Sequence, residues 1–132
     1  MVIVGLIGIV VIIGLMFMGG ESATPVASRF MSALGTGDVA TLTETSYIPD
    51  KSKEEVRKDW ETTTRLTKYV LFRYKFLGED KIAEDQATIR MEVHKAGAGY
   101  EEKFSLPMKK VDGEWKVEVR GLSRQLFPFL PR

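Results

Sequence analysis

The chain has 132 residues, and once its apolar first segment is set aside, the remainder suits one compact domain and excludes two. Its 19 basic and 18 acidic residues nearly cancel, so no strong field favours nucleic acid as a partner. There is no cysteine, which excludes disulfide bonds, a thiol nucleophile and zinc sites built on thiolates.

The chain begins with an apolar segment. From Val2 to Met18 every residue is apolar or glycine, and charged residues begin at Glu21. A helix rises about 1.5 Å per residue, so this run nearly crosses a hydrocarbon core of about 30 Å. Residues 1–20 are therefore predicted to form a single transmembrane anchor, with the bilayer as a partner.

A cleaved secretory signal is the alternative to a retained anchor. Signals normally carry basic residues before the apolar run and small residues at the cleavage site. Here no Lys or Arg precedes the run, and Glu21 stands where a small residue is wanted, so we favour the anchor. Only one basic residue, Arg29, lies in the 20 residues after the span, which predicts an extracytoplasmic domain, periplasmic in a bacterium.

Four glycines interrupt the predicted anchor. Small residues let helices approach closely in lipid, so these positions are candidates for packing against other membrane-protein subunits. The alternative is that glycine is simply common in membrane helices. The candidate positions are Gly5, Gly8, Gly14 and Gly19.

Three helices are predicted at the start of the domain, which we place at residues 21–124. Thr24-Pro25 is typical of a helix start with the threonine hydroxyl as cap, and the helix is predicted to end at Gly35–Gly37. Asp38 is predicted to cap a short second helix. Ser52 to Glu55 forms a capping box that begins a third helix, which extends to about Lys68.

Strands are predicted after the helices, because the apolar period changes to two. Gly78-Glu79-Asp80 is predicted to turn between the first two strands, and Asp112-Gly113 is a hairpin signal before the last. Tyr47–Asp50 is predicted to be a loop. Helices followed by antiparallel strands predict an α+β domain with a curved four-stranded sheet whose inner face the helices cover. The strands are centred on Val70–Leu77, Ala87–His94, Phe104–Met108 and Trp115–Val119.

Two segments resemble the nuclear transport factor 2-like superfamily, whose cone-shaped α+β domains include ketosteroid isomerase and scytalone dehydratase. They are ASRFMSALGTGDVATL, residues 27–42, and FSLPMKKVDGEWKVEV, residues 104–119. Both are signatures of the fold and neither is catalytic. The resemblance implies that an enzyme of this kind would work inside the cone, with an acidic general base and Tyr or protonated Asp donors.

The sequence offers little for such chemistry. His94, its one histidine, alternates in phase with Arg90 and Glu92, so we expect it on the polar face of its strand. The inward rows are aliphatic or aromatic, which describes a filled core or an apolar cavity. No calcium-binding or phosphate-binding loop is present. We therefore predict no catalytic residue, metal or cofactor.

The last eight residues, 125–132, form an apolar tail rich in proline. The domain is predicted to be closed at Val119, so we interpret Phe127, Phe129 and Leu130 as candidate partner contacts. An extended apolar peptide suits a partner's groove. The alternative is that the tail packs back over the edge of the sheet.

Together these features predict a non-catalytic accessory or assembly subunit of a larger membrane complex, of the respiratory or photosynthetic kind. One alternative is a membrane-anchored domain that binds a small apolar ligand in the cone. Another is a diverged isomerase-like or dehydratase-like enzyme, for which His94, Asp59 and Tyr74 would be the residues to test.

Overall fold

Helices precede most of the strands along the chain. The computed structural model describes residues 22–67, 72–95, 101–122 and 130–131. In these residues the three predicted helices and the predicted α+β class are confirmed. The elements are α1 (Thr24–Thr36), α2 (Val39–Thr45), β1 (Ser46–Tyr47), α3 (Lys53–Thr67), β2 (Phe72–Ala83), β3 (Gln86–Lys95), β4 (Glu101–Val111), β5 (Glu114–Glu118) and a 3-10 turn (Val119–Gly121).

The local signals for the end of α1, the starts of α2 and α3 and the last hairpin are confirmed. Gly37 ends α1 with φ of 75°, a left-handed conformation that glycine adopts without strain. The Asp38 carboxylate accepts a hydrogen bond from the Thr41 amide at 3.2 Å and so caps α2. Ser52 and Glu55 exchange hydrogen bonds at 3.1 and 3.2 Å, as a capping box requires.

The sheet is larger than predicted. In the described residues it has five strands in the order β1-β5-β4-β3-β2, so the predicted number of four strands is wrong. The extra strand, β1, lies in the predicted loop and pairs parallel with β5 through Ser46 and Tyr47. The remaining neighbours are antiparallel, as expected. The last strand ends at Glu118, and Val119 belongs to the 3-10 turn that follows.

The predicted turn at Gly78-Glu79-Asp80 is also wrong. β2 continues through these residues to Ala83, and the chain turns at Glu84-Asp85 instead. A bulge between Phe76 and Gly78 shifts the register, so that Glu79 lies opposite Ile89 on β3. The bulge therefore lets a glycine and two acidic residues occupy a long strand.

The core lies between the helices and the inner face of the sheet. The inward row predicted on β3 is confirmed, since Ile89, Met91 and Val93 are at most 1% exposed. The ring of Phe30 meets Trp60 edge-on, with centroids 5.7 Å apart. Among the described residues the largest fully buried side chains are Trp60, Phe30, Met31, Leu42, Ile89, Met91, Leu106, Met108, Val93, Val117 and Val119.

Helix α1 runs antiparallel to β2, and this direction defines one end of the sheet. The start of α1 contacts Glu79, near the end of β2, while Gly35 lies against the ring of Phe72, where β2 begins. Two hairpin turns, Glu84-Asp85 and Asp112-Gly113, lie at the end of the sheet where α1 begins. They are neighbours, as the hydrogen bond from the Lys110 amide to the Asp85 carbonyl at 2.8 Å shows. We call this the junction end of the sheet.

Candidate functional site

The space between helices and sheet is where the resembled enzymes would place their chemistry, and here it is apolar. In the described chain the buried polar residues are three threonines, Thr43, Thr45 and Thr63. The hydroxyls of Thr43 and Thr45 each donate to a helix carbonyl at 2.8 Å. Within the described residues no buried polar side-chain atom lacks a hydrogen-bond partner.

Two hydrogen-bonded pairs of side chains lie at the border of this core in the described residues. The Trp60 indole nitrogen donates to the Ser46 hydroxyl at 2.9 Å, and that hydroxyl donates to the Leu42 carbonyl. The Tyr74 and Ser32 hydroxyls share a hydrogen bond of 2.8 Å. Each pair ties a helix to the rest of the fold, which explains these polar groups structurally.

His94 lies on the outer face of the sheet, as predicted. It occupies one cross-strand row with Arg73 on β2 and Glu101 on β4. These side chains line an open cleft of about 270 Å³. Because the cleft is open and the histidine is only half-buried, this row lacks the sheltered setting that tunes a catalytic base.

A carboxylate does point inward at the junction end, and it binds the start of α1. Glu79 Oε1 accepts hydrogen bonds from the Ser22 hydroxyl at 2.7 Å and the Ala23 amide at 3.1 Å. It also accepts the Thr24 amide at 3.0 Å and the Thr24 hydroxyl at 2.6 Å. We call these four residues the junction cluster.

The junction cluster lowers the pKa of Glu79. Burial by itself raises the pKa of the Glu79 carboxyl, but hydrogen bonds from the hydroxyls of Thr24 and Ser22 and from the two backbone amides oppose it. The net result is a pKa below the ordinary value of 4.5. A negative charge is also favourable at the positive end of the α1 dipole.

The junction cluster was missed by the sequence reasoning, which assigned Glu79 to a turn and made the Thr24 hydroxyl the cap of its own helix. In the structure the helix starts at Thr24, but Ala23 holds the cap position without a side-chain bond, and Glu79 supplies the acceptor. No local signal in the sequence points to Glu79, because this contact joins residues 55 positions apart.

A cleft of about 410 Å³ lies beside the junction cluster, between Ser22 and Trp115. Its charges pair with one another. Arg29 lies 3.3 Å from a Glu44 oxygen, and the Lys116 ammonium lies 3.4 Å from Glu114 and also donates to the Glu44 carbonyl. This cleft therefore presents balanced charge.

The predicted contact residues fall in different places. Leu130 is 5% exposed and belongs to this chain's own core, so it is not a free contact surface. Phe127 and Phe129 lie outside the described residues, as does the predicted anchor with Gly5, Gly8, Gly14 and Gly19. In the described ranges, no helix is long and apolar enough to cross a bilayer.

Acidic side chains do not gather into a metal site in the part of the chain that the structure describes. No group of three or more His, Asp or Glu side chains comes together there in an arrangement that could hold a metal ion. The acidic residues of the α3 start have other roles, since Glu54 pairs with Arg57 and Glu55 completes the capping box.

No family model and no curated protein matches the sequence. Among solved structures, the chain is similar to a domain of unknown function with a cystatin-like fold from Nostoc punctiforme. The TM-score is 0.51 and the identity 13%, over 79% of this chain and 79% of that one. At this identity the similarity concerns the fold, an α+β domain as predicted.

Two further similar structures bear names from the superfamily that the sequence resembles. One is a ketosteroid isomerase-like protein from Erwinia carotovora, with TM-score 0.47 and 14% identity over 71% of this chain and 86% of that one. The other is an NTF-2 like protein of unknown function from Shewanella oneidensis, with TM-score 0.48 and 11% identity over 71% and 89%.

Proposed function

We propose that this protein is a non-catalytic accessory or assembly subunit of a larger membrane complex. Residues 1–20 anchor it by a single span, and its α+β domain lies on the extracytoplasmic side against other membrane-protein subunits. The domain is of the nuclear transport factor 2-like kind.

The observation that carries the proposal is the apolar filling of the domain. Trp60, Phe30 and Met91 occupy the space between helices and sheet, each fully buried. An acid–base enzyme needs a free ionisable group in a sheltered pocket. The buried residues of the described chain include no carboxylate or imidazole, and the inward-pointing, part-buried Glu79 already accepts four hydrogen bonds from the start of α1. The same filling argues against a small apolar ligand there, since ligand pockets are cavities of about 300 Å³ or more.

The junction cluster supports the role of residues 1–20 as an anchor. Four hydrogen bonds to Glu79 hold Ser22, Ala23 and Thr24 directly after the apolar run. The chain therefore leaves its first segment at a fixed point on the domain. A fixed junction suits a domain that has to be presented to a neighbouring subunit in one orientation.

The experiment is gentle detergent extraction followed by native electrophoresis and mass spectrometry of the co-migrating polypeptides. We expect the protein to migrate in a high-mass assembly. Migration as a lone monomer or dimer would refute the proposal.

A truncated chain gives the matched control. Deletion of residues 1–20 leaves the junction cluster intact, so the domain should fold, with the circular dichroism spectrum and unfolding midpoint of the full chain. It should nevertheless fail to join the assembly. If the truncated chain is still incorporated, the first segment is not the docking element.

A further inference from the structure

The junction end of the sheet is held very close to the predicted anchor. The apolar run ends at Met18, and Ser22 is bound by Glu79, so only Gly19, Gly20 and Glu21 lie between. An extended chain advances at most about 3.6 Å per residue, which limits the distance from Met18 to Ser22 to about 14 Å. The domain cannot stand far from the bilayer on such a short connection.

The lipid headgroups fill part of the distance between Met18 and Ser22. Its hydrocarbon core is about 30 Å thick and its full thickness about 40–45 Å, so each headgroup layer covers about 5–8 Å. Even with the connection fully extended, Ser22 would lie within about 9 Å of the headgroup surface. Side chains beside the junction cluster are therefore within reach of lipid.

One large apolar side chain of the described residues at this end is exposed. Ile82 is 63% exposed, and the other exposed large hydrophobic residue in the described chain, Leu77, is 39% exposed. Ile82 lies three residues beyond Glu79 on β2, about 10 Å along the strand, and two residues before the hairpin turn at Glu84-Asp85.

The charges at the junction end do not select for anionic lipid. Exposed Lys81 lies beside Ile82, while Glu84, Asp85 and Asp112 at the two hairpin turns are acidic. Positive and negative groups of this kind can both be solvated among zwitterionic headgroups. An attraction at this end would therefore come from apolar contact.

We propose that the junction end is a lipid-contacting surface and that Ile82 inserts at the boundary between headgroups and acyl chains of a zwitterionic bilayer. This inference rests on the anchor in the proposed function. It adds a second contact between the protein and the membrane, which fixes the tilt of the domain about its junction.

The absence of cysteine from the sequence makes a direct test possible, because a single introduced thiol can be labelled cleanly. Full-length chains carrying Ile82→Cys are labelled with an environment-sensitive fluorophore and reconstituted in phosphatidylcholine vesicles with nitroxide-labelled lipid. Thr36→Cys, exposed at the far end of α1, is the matched control, and Leu77→Cys samples β2 before the junction cluster.

We expect quenching at position 82 to exceed that at position 36 at least threefold, with position 77 between them. Equal quenching at positions 82 and 36 would overturn the inference. The unfolding midpoints of all three variants are compared with the parent chain to confirm that they fold. A strong rise in quenching when phosphatidylserine is added would also overturn the apolar basis of the contact.

Flotation of the same vesicles separates this inference from the function it rests on. If the chain floats in alkaline carbonate but position 82 is not quenched, the anchor stands and the lipid contact fails. If the chain does not float, both fail. If a photo-crosslinker attached to the thiol of the Ile82→Cys chain captures a second copy of the chain, position 82 forms a dimer contact in place of a lipid contact.

Discussion

The interior of the domain and the junction cluster are held together by opposite means. In the interior, apolar rings such as Phe30 and Trp60 are fully buried and meet edge-on. At the junction, polar groups meet at one oxygen of Glu79 and remain partly accessible. Burial of apolar surface dominates the first region, and charge-assisted hydrogen bonds dominate the second.

This difference also shows where the described domain places its inward-facing acidic group. At the junction end, the Glu79 carboxylate faces inward from β2. Its Oε1 atom already accepts hydrogen bonds from the start of α1. A general base must instead be free to accept a substrate proton. The four hydrogen bonds to Glu79 therefore fix residues 22–24, at the start of α1, to β2.

The largest expected effect comes from opening the interior. Trp60→Ala removes a fully buried ring together with its contact to Phe30 and its hydrogen bond to Ser46. We expect the free energy of unfolding to fall by about 3–5 kcal/mol in urea titrations. Thr62→Ala, an exposed site on the same helix, is the control and should change it by less than about 0.5 kcal/mol.

A smaller loss at Trp60 would weaken the comparison directly. If Trp60→Ala cost less than about 1 kcal/mol, the interior would have to be loose enough to collapse around the lost ring. A cavity for an apolar ligand would then be a better description of the cone than a filled core.

The next effect tests the junction cluster. Glu79→Ala removes the acceptor of the Ser22 and Thr24 hydroxyls and of the Ala23 and Thr24 amides. We expect a loss of about 1–2 kcal/mol, limited because water reaches these groups. Glu79→Gln keeps an acceptor oxygen but not the charge, and should lose less. Urea unfolding measures all the variants.

Asp80→Asn is the matched control for Glu79, since it changes the neighbouring acidic residue on the same strand. Asp80 pairs with Arg90 at 2.8 Å, but both side chains are 54% exposed, and such surface pairs contribute about 0–1 kcal/mol. If Asp80→Asn were as damaging as Glu79→Ala, strand charge in general would explain the loss, and the junction cluster would have no special role.

Acid should lower the free energy of unfolding partly through the junction cluster. The folded pKa of Glu79 lies below 4.5, so its contribution is complete above about pH 4.5 and is lost as the pH falls through the folded pKa. We therefore expect stability to fall below pH 4.5 less steeply in Glu79→Gln than in the parent chain. Urea unfolding between pH 3 and 7 provides the measurement.

The parent chain and the Glu79→Gln variant share their other carboxylates. Hydrogen bonds from Ser52 lower the pKa of Glu55, and a hydrogen bond from Arg57 lowers that of Glu54, so both contribute to acid sensitivity with or without Glu79. The difference between the two pH profiles isolates Glu79. Superimposable profiles would mean that its hydrogen bonds do not depend on its charge.

The sequence is a good guide to the interior because that region depends on local period. Alternation of apolar and polar residues correctly predicts that Ile89, Met91 and Val93 face inward. Capping at Asp38 and Ser52 is equally local, since donor and acceptor lie three residues apart. Each of these signals involves only residues that lie near one another in the chain.

The junction cluster could not be predicted in this way. Glu79 meets Thr24 across 55 residues of sequence, and its inward direction depends on a bulge that reverses the alternation of the strand. Gly-Glu-Asp is a normal turn composition, whereas here Gly78 lies in a strand and the flexible end of the Arg90 side chain packs against it. The two-residue β1 was missed because such a short strand has no period.

The smallest expected effect concerns the outer face of the sheet. His94→Ala changes a half-buried side chain in the row with Arg73 and Glu101, so the free energy of unfolding should change by less than about 0.5 kcal/mol. Val93→Ala, the adjacent residue at 1% exposure, should cost about 2 kcal/mol because it removes two buried methyl groups.

Membrane assembly on native gels should be unchanged in His94→Ala. Loss of assembly without loss of stability would instead identify the outer row of Arg73, His94 and Glu101 as a contact with a partner subunit. The polar residues that matter for assembly would then lie on the outer face of the sheet and not at the junction cluster.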